Sequence, residues 1–172
     1  MTTEIYNRIK AELGTINGVD NFPLYKTIML WNSQTSHVLA DANDSYPWLS
    51  PACFIEFNNI TCENLGKKAQ VQHCEYDVVL HIVQDLRMNE DTSILETKLK
   101  TYKVMQVLEF GVADPTTGRL TRTAENPNYD NNELIIFEQT YRSAYKDYSA
   151  IPTLGSRILT PVITQTFVTT LP

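Results

Sequence analysis

A chain of 172 residues, 42% apolar and 20% charged, is long enough to bury one real core and has the composition of a folded domain rather than a disordered tract. Its net charge of -6 speaks against a protein that holds nucleic acid by neutralising phosphates, so any DNA contact would come from a local patch or the lumen of a ring. No apolar run is long enough to cross a bilayer and the start, MTTEIYNRIK, has no secretory apolar core, which points to a cytoplasm-like compartment and no membrane partner.

The three cysteines, Cys53, Cys62 and Cys74, include no C-x-x-C pair and are odd in number. That pattern fits neither a disulfide framework nor a common zinc signature, so buried free thiols are expected.

In chain order, Ile5, Ile9 and Leu13 recur every fourth residue between Thr3, placed to cap, and Gly14, placed to stop, which predicts a short amphipathic helix. The run YKTIMLW, 25–31, predicts a strand. The polar stretch 32–50 predicts a long surface loop, anchored by Pro47 and Trp48. Pro51 can only open a strand or lie at an edge, so ACFIEFNNI is expected to be a strand from residue 52. Parity then sends Cys53, Ile55 and Phe57 to the core side, and Phe54, Glu56 and Asn58 to the other.

After a polar bend through Asn64 and Gly66, residues 69–85 alternate in the same way. Cys74, Tyr76, Val78, Leu80 and Ile82 form a dry side, while His73, Glu75, Asp77, Val79 and His81 form a mostly polar one. Ser93 and Glu96 make a capping box, and Ile94, Leu95, Leu99, Tyr102, Met105 and Leu108 make an apolar stripe, which predicts a helix over 93–110. Turn formers at 114–118 and 125–132 flank a short predicted strand, RLTRT. Residues 133–149 alternate again, with Ile135, Phe137, Tyr141 and Tyr145 opposite Glu138, Arg142 and Lys146. The threonine- and valine-rich PVITQTFVTTL closes the chain as a strand. Together these predict an α+β fold: a single domain over 1–149, a mainly antiparallel sheet packed by an N-terminal helix and one longer central helix. Residues 150–172 are expected to be a further strand or an arm.

The motifs of nucleophilic, ATP and NAD chemistry are missing, since there is no G-x-S-x-G, G-x-G-x-x-G or Walker pattern. No cofactor is expected. His73, Asp77 and His81 share the polar side of one strand, a row that raises a small metal-dependent hydrolase as one hypothesis. Same-side neighbours two apart lie roughly 6.5–7 Å apart, and metal ligands must come within ~2.0–2.2 Å, so such a row needs ligands from elsewhere. Glu56 as a general acid lacks a catalytic partner nearby in the sequence. Arg119, Arg122, Arg142 and Lys146 make a basic cluster in an acidic chain. Separated acidic and basic faces suit head-to-tail contact, which closes into a ring when the rotation allows.

The order of these elements, with P-x-CFIEF (51–57), YDVVLHIVQD (76–85), the capped helix 93–110 and GRLTRTAENPNYDNNELIIFEQTYR (118–142), resembles the tail terminator, or tail completion, proteins of tailed bacteriophages and their neck-protein relatives. The resemblance implies a structural, non-enzymatic virion protein. It would form a ring, usually a hexamer, at the head-proximal end of the tail, stop tube growth and join the tail to the neck or connector. It would be assembled in the host cytoplasm, and its partners would be further copies of itself, the tail tube protein, the neck or connector protein and the sheath, with DNA passing an acidic lumen unbound. The interface candidates are Phe54, Glu56, His73, Glu75, Asp77, His81, Arg119, Arg122, Arg142 and Lys146. Close alternatives are a head-tail joining protein or a tube subunit, and a bacterial adaptor or immunity-type binding module is a third class. On this reading Glu56→Lys damages assembly and leaves the monomer folded.

Overall fold

The computed structural model describes residues 2–18, 21–36, 46–65, 71–87, 91–108, 118–128 and 133–147. Helix α1 spans Thr2–Gly14, and its four-residue repeat of Ile5, Ile9 and Leu13 is buried throughout. Strand β1 (Thr27–Leu30) and a single 3-10 turn (Gln34–Ser36) lead to β2 (Ala52–Leu65) and β3 (Val71–Asp85). Helix α2 (Asp91–Met105) precedes β4 (Thr121–Asn128) and β5 (Leu134–Asp147). The strands make one five-stranded sheet in the order β1-β2-β3-β5-β4. Only the β1–β2 pair is parallel; β2, β3, β5 and β4 are joined antiparallel. The α+β architecture with two sheet-packing helices is as expected. The expected arm or strand at 150–172 lies outside the described residues, as do residues 66–70. No helix among the described residues is long and apolar enough to cross a membrane.

Both sides of the sheet are covered in part, and alternation decides which residue goes where. Cys53, Ile55, Cys74, Tyr76, Val78, Leu80, Ile82, Phe137 and Tyr141 pack under the two helices as the main core. The opposite parity supplies a second, smaller cluster in which Tyr46, Trp48, Phe54, Val83, Leu134 and Ile136 are buried, with Trp31 packed against them. The connection from β1 to β2 thus lays aromatic side chains over one end of the second side. Trp48 does anchor that connection, stacked on Tyr46 at 4.9 Å and edge-on to Phe54 at 5.6 Å. Pro47, expected to share that role, is exposed.

Two predicted elements need correction. Residues 125–128, expected to be a turn, complete β4, because Glu125, Asn126, Pro127 and Asn128 each find a partner on β5. Helix α2 ends at Met105 instead of 110, and its buried stripe is rotated from the predicted one. Ile94, Thr97, Thr101, Met105 and Leu108 face the sheet, while Leu95 and Leu99 are half exposed. The threonines can be buried because they satisfy themselves: Thr97 Oγ1 donates to the Ser93 carbonyl at 2.8 Å and Thr101 Oγ1 to the Thr97 carbonyl at 2.8 Å. The Tyr25 hydroxyl donates in turn to Thr101 Oγ1. Polar contacts on the far flank fix the rotation. Lys98 Nζ reaches Glu125 Oε1 at 2.6 Å, and Gln139 Nε2 donates to the Lys98 carbonyl at 3.1 Å and to Glu125 Oε2 at 2.9 Å. Burial alone would raise the Glu125 carboxyl, but the bonds from Lys98 and Gln139 outweigh it and hold the group below its ordinary value.

The cysteines also differ from expectation. Cys62 and Cys74 face each other across β2 and β3 and are joined in a disulfide; Cys53 alone is free, and it is buried. Odd number and spacing hide this pair, because hairpin register and not sequence distance brings the two together. Burial pushes the Cys53 thiol well above its usual range, so it stays protonated and unreactive. Thiol titration of the unfolded, unreduced chain is expected to find Cys53 alone. Replacing both Cys62 and Cys74 by Ala should lower stability by about 2–3 kcal/mol through the loss of a short closed loop; three titratable thiols, or an unchanged denaturant midpoint, would contradict the pairing.

Candidate functional surface

Beyond the aromatic cluster the second side runs along β3, from His81, on which Trp31 stacks, toward His73. Register assembles its first centre. His81 stands opposite Phe54 on β2 and opposite Glu138 on β5, with Glu56 one same-side step along β2. Its Nε2 donates to Glu56 Oε2 at 2.8 Å, since a carboxylate can only accept. Its Nδ1 lies 3.4 Å from Glu138 Oε1 without forming a hydrogen bond, and it is buried. The Trp31 ring stacks on the imidazole at 4.0 Å and 10°. The His81 side chain is only 6% exposed, whereas each glutamate keeps 30%. A buried imidazole is therefore clamped edge-on between two half-wet carboxylates and roofed by an indole. The carboxylates lie against different ring nitrogens, so they cannot join the imidazole around one metal ion. Nor could a substrate atom reach either nitrogen without moving Trp31 or Glu56.

A second centre sits four residues, about 13 Å, away on the same strand. Arg142 on β5 faces Asp77 and donates from Nε to Oδ1 at 2.8 Å and from Nη2 to Oδ2 at 3.1 Å, a two-pronged pair. Asn59 adds a third bond to Asp77 Oδ2 at 3.0 Å. It can do so because the β2–β3 register shifts between Asn58 and Thr61, and Asn59 takes a positive φ of 49°. Such a bulge re-aims a side chain that regular pleating would send elsewhere. The Arg142 bond holds the Asp77 carboxyl below its ordinary 3.8.

The expected polar side is thus not simply wet: Asp77 and His81 are both buried. Phe54, expected at an interface, is buried beneath Trp48 and Trp31. Glu75 is exposed, and His73 approaches it at 3.8 Å. His73, Asp77 and His81, the row that raised a hydrolase, follow one another by about 13 Å along the strand and each has a different partner. Among the described residues no group of three His, Cys, Asp or Glu side chains is placed to hold a metal.

The basic cluster also separates. Arg142 lies on the second side with Asp77, and Lys146 is opposite His73 on the exposed end of β5. Arg119 donates to the Gln106 carbonyl, from Nε at 2.8 Å, while Arg122 bonds Glu125 Oε2 at 2.9 Å and lies 3.7 Å over the Tyr102 ring. Sequence reasoning missed Trp31, Asn59 and the partnership of Glu138 with His81. The parity of Glu138 was a usable signal; nothing in the sequence marks Asn59, whose role depends on the bulge.

Two outcomes follow from this geometry. A carboxyl held below its unfolded value contributes stability above that value and loses it as pH falls through the folded one. Arg142→Ala should therefore raise the Asp77 titration, followed by carboxyl NMR, and flatten the acid limb of stability; an unmoved titration would contradict the pair. The expectation for Glu56→Lys changes as well. It removes the acceptor of a buried imidazole and sets an ammonium beside it, so it should destabilise the monomer by about 1–3 kcal/mol in denaturant unfolding, and a wild-type midpoint would show that the Glu56–His81 bond contributes nothing.

No protein-family model matches the chain, and no curated protein matches it.

Proposed function

We propose that this protein is an assembly subunit of a phage tail–neck junction, a ring-forming terminator that stops tube growth and presents a surface to the neck or connector. One observation carries the assembly part of this reading: among the described residues the sheet has one open edge and one blunted edge. Strand β1 pairs with only Ala52–Ile55 of β2, and the Trp31 amide adds one bond to the Ile55 carbonyl at 2.9 Å. From Phe57 to Leu65, β2 has no neighbour on its outer side among the described residues. A long unpaired edge is a template for another strand. This one carries exposed Ile60 (48%) and Leu65 (46%), with Met29 and Leu30 exposed on neighbouring β1.

The opposite edge, β4, includes Pro127, which withholds a donor and sits where sheets tolerate proline. Two unlike edges cannot form a self-complementary pair through both at once. They suit head-to-tail addition, in which each copy offers a different patch and a suitable rotation closes a ring. The resemblance in the strand and helix stretches supplies the phage context. The Cys62–Cys74 disulfide is compatible with it, since disulfides persist on virion surfaces and are rare in the cytosol.

Purified protein should form closed rings in electron micrographs and in light scattering, and should stop there without growing tubes. Ile60→Lys with Leu65→Lys, charges placed on the open edge, should yield folded monomer. A wild-type monomer at micrograph concentration, or a double variant that assembles normally, would overturn the assignment, and spontaneous tubes would favour a tube subunit instead.

A further inference from the structure

A cleft of about 280 Å³ opens on the helix side of the sheet, between the first turns of α2 and the segment that joins α1 to β1. Its floor holds Gln84, the penultimate residue of β3, which is 3% exposed. Gln84 Nε2 donates to Ser93 Oγ, but its Oε1 has no hydrogen-bond partner although it is buried. An unpaired buried carbonyl is costly, and a native fold usually satisfies it with protein, water or ligand. Exchanging the amide's oxygen and nitrogen would leave the nitrogen unpaired instead, so one polar atom of this buried, cleft-lining amide lacks a partner either way.

The walls say what kind of group would fit. Lys26 and Lys100 line the cleft; Lys100 Nζ donates to the Asn17 carbonyl at 3.4 Å, which leaves its positive charge unneutralised. Glu96 stands one turn before Lys100 on α2 and offsets one of the two positive charges. The net of +1 from Lys26, Lys100 and Glu96 favours a monoanion such as a carboxylate over a doubly charged phosphate. Pro23 and Pro51 give apolar wall, and Phe22, 73% exposed, stands at the mouth. The volume lies just below the roughly 300–1,000 Å³ of sites for drug-sized ligands, which suits something of amino-acid size.

We propose that this cleft binds an N-acyl amino acid, free or as the carboxylate end of a peptide. Its amide N–H donates to Gln84 Oε1, its carboxylate pairs with Lys26 and Lys100, and its apolar side chain lies against Phe22, Pro23 and Pro51. The site is on the side of the sheet away from His81 and is independent of the ring reading.

The full chain, titrated with N-acetyl-leucine and with a short peptide ending in leucine, should show saturable amide NMR shifts at Gln84, Ser93 and Thr97. A tighter peptide identifies a chain terminus as the source, and equal binding a free small molecule. N-acetyl-leucinamide, which lacks the carboxylate, and inorganic phosphate should bind at least about tenfold more weakly. Gln84→Leu and the pair Lys26→Ala with Lys100→Ala should each weaken N-acetyl-leucine by a similar factor. Should Gln84→Leu not fold, the pair of exposed Lys26 and half-buried Lys100 decides alone. No saturable shift with either probe, equal binding of the amide or phosphate, or wild-type binding by the folded variants overturns the proposal and leaves the cleft a water site.

Discussion

The structure depends on the register of β3 between β2 and β5. All three strands are long, and β3 pairs along its length with β2 on one side and β5 on the other. Because side chains alternate, a slip by one residue would exchange the two sides of β3. Tyr76, Val78, Leu80 and Ile82 would leave the helices, and Asp77 and His81 would enter an apolar core without partners. Burial on both sides therefore pins a register that one apolar side would specify less firmly. The paired polar residues reinforce it, because His81 meets its glutamates and Asp77 its arginine only in this alignment. The Cys62–Cys74 disulfide locks the same alignment beyond the bulge, where β2 is exposed.

Much of this was legible because period-two alternation is a local signal. The dry side of β3, the opposite parities of Ile55 and Glu56, and the split of Phe137 from Glu138 can all be read from residue order. What escaped depends on contacts distant in sequence. Leu95 and Leu99 look like core, yet α2 turns Thr97 and Thr101 inward because Tyr25, Gln139 and Glu125 are there to meet that flank. The disulfide needs the hairpin's register, and Asn59 needs its bulge. The polar side of β3 was expected to be wet, but Trp31 and Trp48 come from a connection whose path no local pattern specifies. At the candidate surface, residue types and parity were legible; partners were not.

Chemistry and assembly place different demands on such a surface. A catalytic centre needs a reactive atom that substrate can approach, and His81 is held and roofed instead. Its clamp and the Asp77–Arg142 pair stiffen the sheet behind the open edge of β2. A stiff edge loses less conformational entropy when a strand docks than a fraying one would. On the proposed assembly reading, the buried polar row and the β2 edge left unpaired among the described residues belong to one device: the first holds in shape what the second offers to a neighbour.

Residue-resolved hydrogen exchange tests this most directly. In the isolated chain, β3 amides should exchange slowest, while the β2 amides between Phe57 and Leu65 that point away from β3 exchange fast despite lying in a strand. In the assembled form those same amides should become protected. Uniform protection of β2 in the isolated chain, or fast exchange that assembly leaves unchanged, would contradict the claim that this edge is where copies of the protein meet.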